Sequence, residues 1–193
     1  MKEEGLKKGL LNTSYNKQIR WFFIKLAILG SLWFVSYHLI LKPGRIIDRP
    51  LTNFLTAVST KCINLISPGS AELTWKENKA KDCAYLLQNG KQVFGIWDAC
   101  NGIDLMYIYV GVILLLPYPA KRKAVFGIVG VLVIVFANVI RICSLYFISI
   151  YQRSIFDFSH HYLFTILMYI LIFYGWLLYA KGGFINKKQF ANG

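Results

Sequence analysis

Three sets of side chains with the makings of chemistry stand inside or at the ends of long apolar runs. Cys100 lies in Asp98-Ala99-Cys100-Asn101-Gly102-Ile103, Arg141 in Asn138-Val139-Ile140-Arg141, and the pair His160-His161 opens the last run. A thiol, a guanidinium and an imidazole are the parts of nucleophilic acyl chemistry. The thiolate attacks a carbonyl, the imidazole takes and returns the proton, and the guanidinium holds the developing oxyanion. Gly102 permits close backbone approach, and a helix starting just after Cys100 offers N–H groups that favour a thiolate. Each residue also has a plainer reading. Cysteines near membrane spans are often packing residues, an arginine in a span snorkels to headgroups, and histidine is common at an interface. The elements that carry these residues decide whether they meet.

The chain of 193 residues is 56% hydrophobic and 16% aromatic, with a mean hydropathy of +0.47. Its apolar residues fall in four runs, 21–41, 103–119, 125–148 and 162–180. A hydrocarbon core of about 30 Å takes about 20 apolar residues per helix. The second run is short and carries Asp104. The expected fold class is an all-α integral membrane protein with about four transmembrane helices, an outer amphipathic helix and a small β-hairpin.

The net charge of +13 suggests nucleic acid only until its positions are read. Lys2, Lys7, Lys8, Lys17 and Arg20 precede the first run, Lys121, Arg122 and Lys123 fill the short loop between the second and third, and Lys181, Lys187 and Lys188 follow the fourth. An even number of crossings puts all three sets on one side, which the positive-inside rule makes cytoplasmic. Lys25 snorkels back to the same interface. The first run ends in Leu39-Ile40-Leu41-Lys42 with no small-residue cleavage site, so it reads as an uncleaved anchor. The expected organisation is a cytoplasmic segment 1–19, a first span 20–42, an outer segment 43–100, a membrane core 101–180 and a cytoplasmic tail 181–193.

In the outer segment, 50–66 places Leu51, Phe54, Leu55, Val58, Cys62, Leu65 and Ile66 at helical spacing. This predicts an amphipathic helix on the outer leaflet or against the bundle, ended by Ser67-Pro68-Gly69. Segments 71–75 and 84–87 flank charged linkers. Gln88-Asn89-Gly90-Lys91 is a two-residue hairpin turn, and 92–97 is the return strand that delivers Asp98 and Cys100 to the second span. Cys62 and Cys83 either pair in an oxidising compartment or stay as free thiols, and Cys143 lies within the third span. No CxxC pair is present, and adjacent histidines on a helix do not share a face, so no metal site is expected.

Depth is common to the three groups. Arg141 lies seven residues before Ile148, about 10 Å below the outer end of the third span. Cys100 is at the outer mouth of the second span and His160-His161 at the outer start of the fourth. An arginine within a span costs from about 2.5 to more than 10 kcal/mol, so it faces a bundle interior or a wet cavity. Asn138, three residues earlier, shares its face. Trp33, Tyr37, Tyr151 and Tyr162 read as interfacial anchors, and Asp157 either orients an imidazole or caps the fourth helix.

Asp98-Ala99-Cys100-Asn101-Gly102-Ile103 resembles the cysteine signature of the exosortase/archaeosortase family, where the nucleophile stands in an Ala-Cys-Ser-Gly-Ile-like context. Asn138-Val139-Ile140-Arg141 is similar to that family's Asn-x-x-Arg, and the histidine at the head of the last span to its third element. The likeness covers about 95–180, and the short chain is similar to the compact exosortase-like branch of Bacteroidetes-type bacteria. It implies a cysteine transpeptidase or peptidase of the bacterial inner (cytoplasmic) membrane, multi-pass, with its active site on the extracytoplasmic side. Such an enzyme cuts a C-terminal sorting signal (a short motif, a hydrophobic span and a basic tail) from exported proteins. Its partners are that signal and membrane lipid, with no nucleic acid. Carried over, Cys100 forms a thioester, His161 serves as base and then acid with His160 as the other candidate, and Arg141 stabilises the oxyanion or orients the thiolate. Asn138, Asp98 and Gly102 support the pocket, and thiol acyl transfer needs no cofactor. Asn101 replaces the family's usual Ser, and no Glu follows the histidines, which leaves hydrolysis or transfer open. A non-catalytic membrane adaptor in an export or surface-attachment system is the competing reading. A small transporter is disfavoured by the lack of an inverted repeat.

Overall fold

The computed structural model describes residues 2–67, 73–78 and 82–185, with side chains described from 17 to 181 within those ranges. The expectations for Pro68-Gly69, for Ala71-Glu72 and for Lys187-Lys188 lie outside the described residues. Helix α1 (Lys2–Ser36) continues through a π turn (Tyr37–Leu41) and a short turn (Lys42–Gly44). Next come α2 (Asp48–Ile66), the strands β1 (Leu73–Asn78), β2 (Cys83–Gln88) and β3 (Lys91–Trp97), and a 3-10 turn (Asp98–Cys100). Helices α3 (Ile103–Leu115), α4 (Ala120–Tyr151) and α5 (Phe164–Ile185) follow, α5 being preceded by a π turn at Ser159–Leu163.

Among the described residues, three segments are long and apolar enough to cross a membrane: Ile19–Gly44, Ala120–Tyr151 and Arg153–Lys181. The second apolar run forms only the 13 residues of α3, about 20 Å at about 1.5 Å per residue. It stops at Leu116 because Pro117 follows, and the residue before proline is driven out of the helical region. The bundle core is the cluster of Met106, Tyr109, Ile113, Ile134, Met168, Ile172 and Tyr179. Lys121, Arg122 and Lys123, expected in the loop, stand instead in the first turn of α4, because Pro119 starts the helix there. Arg122 lies over the rings of Tyr118, Phe126 and Tyr179 at 4.6, 5.6 and 5.0 Å and donates to the Tyr179 carbonyl, so it pins the start of α4 to α5.

At the other end of the bundle, α2 packs on α4 and on the sheet. The sheet has three antiparallel strands in the order β1-β2-β3, so β1 adds to the expected hairpin. Its turn is the Asn89-Gly90 pair, both in the left-handed region at φ 51 and 74. The buried face of α2 differs from its apolar stripe. Thr52, Thr56, Ser59 and Thr60 are buried with Leu55 and Ile63, while Phe54, Leu65 and Ile66 stay exposed. Thr56 and Thr60 hydroxyls each donate to the carbonyl four residues back at 2.7 Å, which lets small polar residues pack against the bundle. All four cysteines are free thiols, Cys62 and Cys83 included.

Candidate active site

The 3-10 turn Asp98–Cys100 is joined to α3 by Asn101-Gly102, and polar contacts fix it on both sides. Behind it, the Asp98 carboxylate accepts from Arg45 Nε at 2.6 Å, from the other Arg45 nitrogen at 3.0 Å, and from the Thr52 hydroxyl at 2.7 Å. Asn101 is fully buried. Its Nδ2 donates to Asp48 Oδ1 at 2.8 Å, and its Oδ1 accepts from the Ile103 N–H at 2.9 Å, which caps α3. Asp48 is itself buried and also accepts from the Tyr37 hydroxyl at 3.1 Å. In front, Asn138 of α4 donates to the Cys100 carbonyl at 3.1 Å. Gly102 sits at φ 82, and a Cβ there would meet Asn138 Nδ2 at 3.3 Å, so glycine is required both by the backbone and by the close helix contact.

Cys100, Arg141 and His160 line one cavity of about 130 Å³, walled by Phe94, Trp97 and Phe156. Cys100 Sγ lies 3.5 Å from His160 Nε2, inside the reach of a hydrogen bond to sulfur. The His160 ring stacks on Phe156, centroids 5.9 Å apart and planes within 6°. Phe94 in turn meets Phe156 edge-on at 6.2 Å. Aromatic packing, in place of a carboxylate, therefore sets the orientation of the imidazole.

The structure brings His160 to the thiol, and not His161, the residue favoured for the base. His161 is exposed and its Nδ1 bonds the Asp157 carbonyl at 3.0 Å. Successive helical residues point in different directions, so only one of two adjacent histidines can face the cavity. The Asp98 carboxylate points away from the cavity and braces the turn from its far side. Asn138, Gly102 and Asn101 hold the backbone around Cys100, and Asp157 is exposed. His38 stays peripheral, bonded to the Phe34 carbonyl at 3.0 Å. Trp33 and Tyr37 are tied into the bundle end, Trp33 donating to Asp104 at 3.0 Å and stacking on Tyr107 at 4.0 Å.

Arg141 is half-buried, and among the described residues its guanidinium makes no hydrogen bond and no ion pair. A half-buried cation without a partner in the wall of a thiol cavity is suited to meet an oxyanion or carboxylate ligand. Burial pushes the Cys100 thiol up from its ordinary value, and Arg141 acts the opposite way. The thiol therefore rests protonated, and its proton has to leave during attack. Nothing among the described residues groups three metal-ligating side chains.

Asp48, Thr52, Arg45 and Phe156 carry or brace this geometry, and sequence reasoning did not single them out. Asp48 had one signal, an acidic residue at the first turn of an amphipathic helix, which reads equally well as a complement to the helix dipole. Phe156 had none.

Fold and geometry together define a thiol–imidazole–guanidinium cluster at one end of the helical bundle of a membrane protein. The transmembrane exosortase family model matches residues 14–184, and the chain belongs to that family. No curated protein and no solved structure matches it significantly.

Proposed function

We propose that the protein is a cysteine peptidase or transpeptidase that cleaves the C-terminal sorting signals of exported proteins on the extracytoplasmic side of a bacterial inner membrane. The observation that carries this reading is the 3.5 Å approach of Cys100 Sγ to His160 Nε2 in the cavity that also holds the unpaired Arg141.

Each step rests on those three groups. With the substrate carbonyl beside Cys100, His160 Nε2 takes the thiol proton as Sγ attacks the carbonyl carbon. The C–S bond forms, and the carbonyl π electrons move to oxygen, where the Arg141 guanidinium meets the negative charge. Collapse of this intermediate breaks the C–N bond, and His160 returns the proton to the departing amine. A thioester on Cys100 remains. An incoming nucleophile, deprotonated by the same imidazole, attacks the thioester carbonyl and releases the thiol. Water gives hydrolysis and an amine or hydroxyl acceptor gives transfer. The basic loop ends lie at the opposite end of the bundle from Cys100, which supports the assignment of sides by the positive-inside rule.

The test is co-expression of the full chain with exported proteins that carry a C-terminal motif, hydrophobic span and basic tail. Loss of the signal is read by intact mass. Processing that needs Cys100 supports the reading, and processing that survives Cys100→Ala contradicts it. The same partners captured by native and Cys100→Ala chains, with no mass change in either, would favour the adaptor.

A further inference from the structure

The last strand of the sheet ends at Trp97, three residues before the nucleophile, and among the described residues no strand pairs with its second side. The order β1-β2-β3 leaves β3 with a strand on only one flank. The Asp98 N–H donates to the Asp82 carbonyl at 3.0 Å, which makes Asp82 and Asp98 a hydrogen-bonded pair. Such pairs alternate along an antiparallel ladder. Ala84 stands opposite Ile96 and Leu86 opposite Phe94, so the backbone groups of Phe94 and Ile96 face β2. The N–H and C=O groups of Gly95 and Trp97 then point to the open flank. Among the described residues they bond to no group outside the ladder. Phe94, Gly95, Ile96 and Trp97 line the same cavity as Cys100 and His160.

We infer that the open edge of β3 is the rail on which the substrate lies: an extended peptide segment adds as a fourth strand, pairing through Gly95 and Trp97, and this sets its scissile carbonyl beside Cys100. The inference rests on the peptidase reading and adds the conformation and the recognition mode of the segment that is cut. A helical segment has its own backbone groups satisfied and offers nothing to this edge, whereas an extended one supplies donors and acceptors at a two-residue repeat. Main-chain pairing tolerates many sequences. Selectivity falls to the substrate side chain that enters the cavity of about 130 Å³ lined by Phe94 and Phe156, where a small residue fits. An exposed edge is also a hazard for aggregation, and its position beside the nucleophile gives it a use.

The test needs no change to the protein. The full chain in lipid nanodiscs is treated with iodoacetamide or with acetyl-tetraalanyl chloromethyl ketone, on which Sγ displaces chloride and the thiol proton is lost to buffer. Labelling of Cys100 is followed by peptide-resolved mass spectrometry. A set of the same ketones carries one N-methyl group, moved along the peptide. Strand pairing predicts a period of two: N-methylation at alternate residues lowers the Cys100 labelling rate about five- to tenfold, and at the intervening residues by less than about twofold. A uniform response, or none, while iodoacetamide still labels Cys100, overturns the edge and leaves the peptidase reading standing. A Cys100 inert to both reagents brings down both.

Discussion

In the bundle core the buried side chains include Met106, Ile113, Ile134, Met168 and Ile172, with Tyr109, whose hydroxyl donates to the Phe126 carbonyl at 3.2 Å, and Tyr179, whose hydroxyl is buried with no hydrogen-bond partner among the described residues. Around the Cys100 turn the fully buried side chains are instead Asp48, Thr52, Asn101 and Asn138, each hydrogen-bonded to another segment of the chain. The difference comes from solvent. Lipid solvates a leucine as well as a neighbouring helix does, so the apolar spans specify depth but only weakly specify position. Buried polar groups have few acceptable partners, so the network at the bundle end places one backbone turn to within a hydrogen bond. The spans carry Arg141 and His160 to the right depth, and the network brings Cys100 to meet them.

Breaking this comparison at the reacting groups has the largest expected effect. Cys100→Ala removes the nucleophile while the contacts that hold residue 100 run through its carbonyl. It is expected to abolish sorting-signal processing with an unchanged melting curve. His160→Ala costs about 10²–10⁴ in processing rate and Arg141→Gln about 10²–10³, whereas His161→Ala stays within about threefold of native, since an exposed side chain is worth little. Single-turnover cleavage of a co-expressed or purified substrate reads all three, and a larger loss from His161→Ala than from His160→Ala would return the base to His161.

A smaller effect is expected in the polar network. Arg45 and Asp98 are nearly buried, with side-chain exposures of 11% and 12%. Arg45→Ala leaves the carboxylate unpaired and is expected to destabilise the fold by about 3 kcal/mol, read by thermal unfolding in detergent. Replacing Ile128 in the lipid-facing stripe by Leu is expected to change stability by less than about 0.5 kcal/mol. Comparable losses at both sites would erase the contrast between the two regions.

The smallest effect lies at the rim. Arg49, about half exposed, donates to Glu77 and holds its carboxyl below the usual carboxylate range. A carboxyl with a depressed folded value stabilises fully above its unfolded pKa of about 4.3 and loses that contribution as pH falls through the lower folded value. Arg49→Ala is therefore expected to cost under about 1 kcal/mol at neutral pH and progressively less as the pH is lowered below the unfolded carboxyl value, as read by melting curves across that pH series.

Reading the residues in order was enough to find the apolar runs, the α2 helix, the Asn89-Gly90 turn and the depth shared by Cys100, Arg141 and the histidines. Those features depend on local periodicity and turn chemistry. The features that stayed hidden depend on contacts between distant segments. β1 joins the sheet through pairing with β2, which no residue pattern within 71–75 declares. His160 and His161 both lie inside the π turn at Ser159–Leu163, whose wider winding departs from the α-helical phase that a sequence pattern assumes. Asp48 meets Asn101 across 53 positions, and its burial is invisible in a helix whose threonines read as a solvent face.

The most direct test of the central claim, that Cys100 and Arg141 share one site, is the pH dependence of Cys100 alkylation in intact membranes. It is measured for the native chain, Arg141→Gln and His161→Ala, with Cys62 as internal reference. Arg141 favours the thiolate against the cost of burial, so Arg141→Gln is expected to move the Cys100 curve to higher pH, while His161→Ala leaves it in place and Cys62 does not move in either. A Cys100 curve that is the same with and without Arg141 would contradict the shared site.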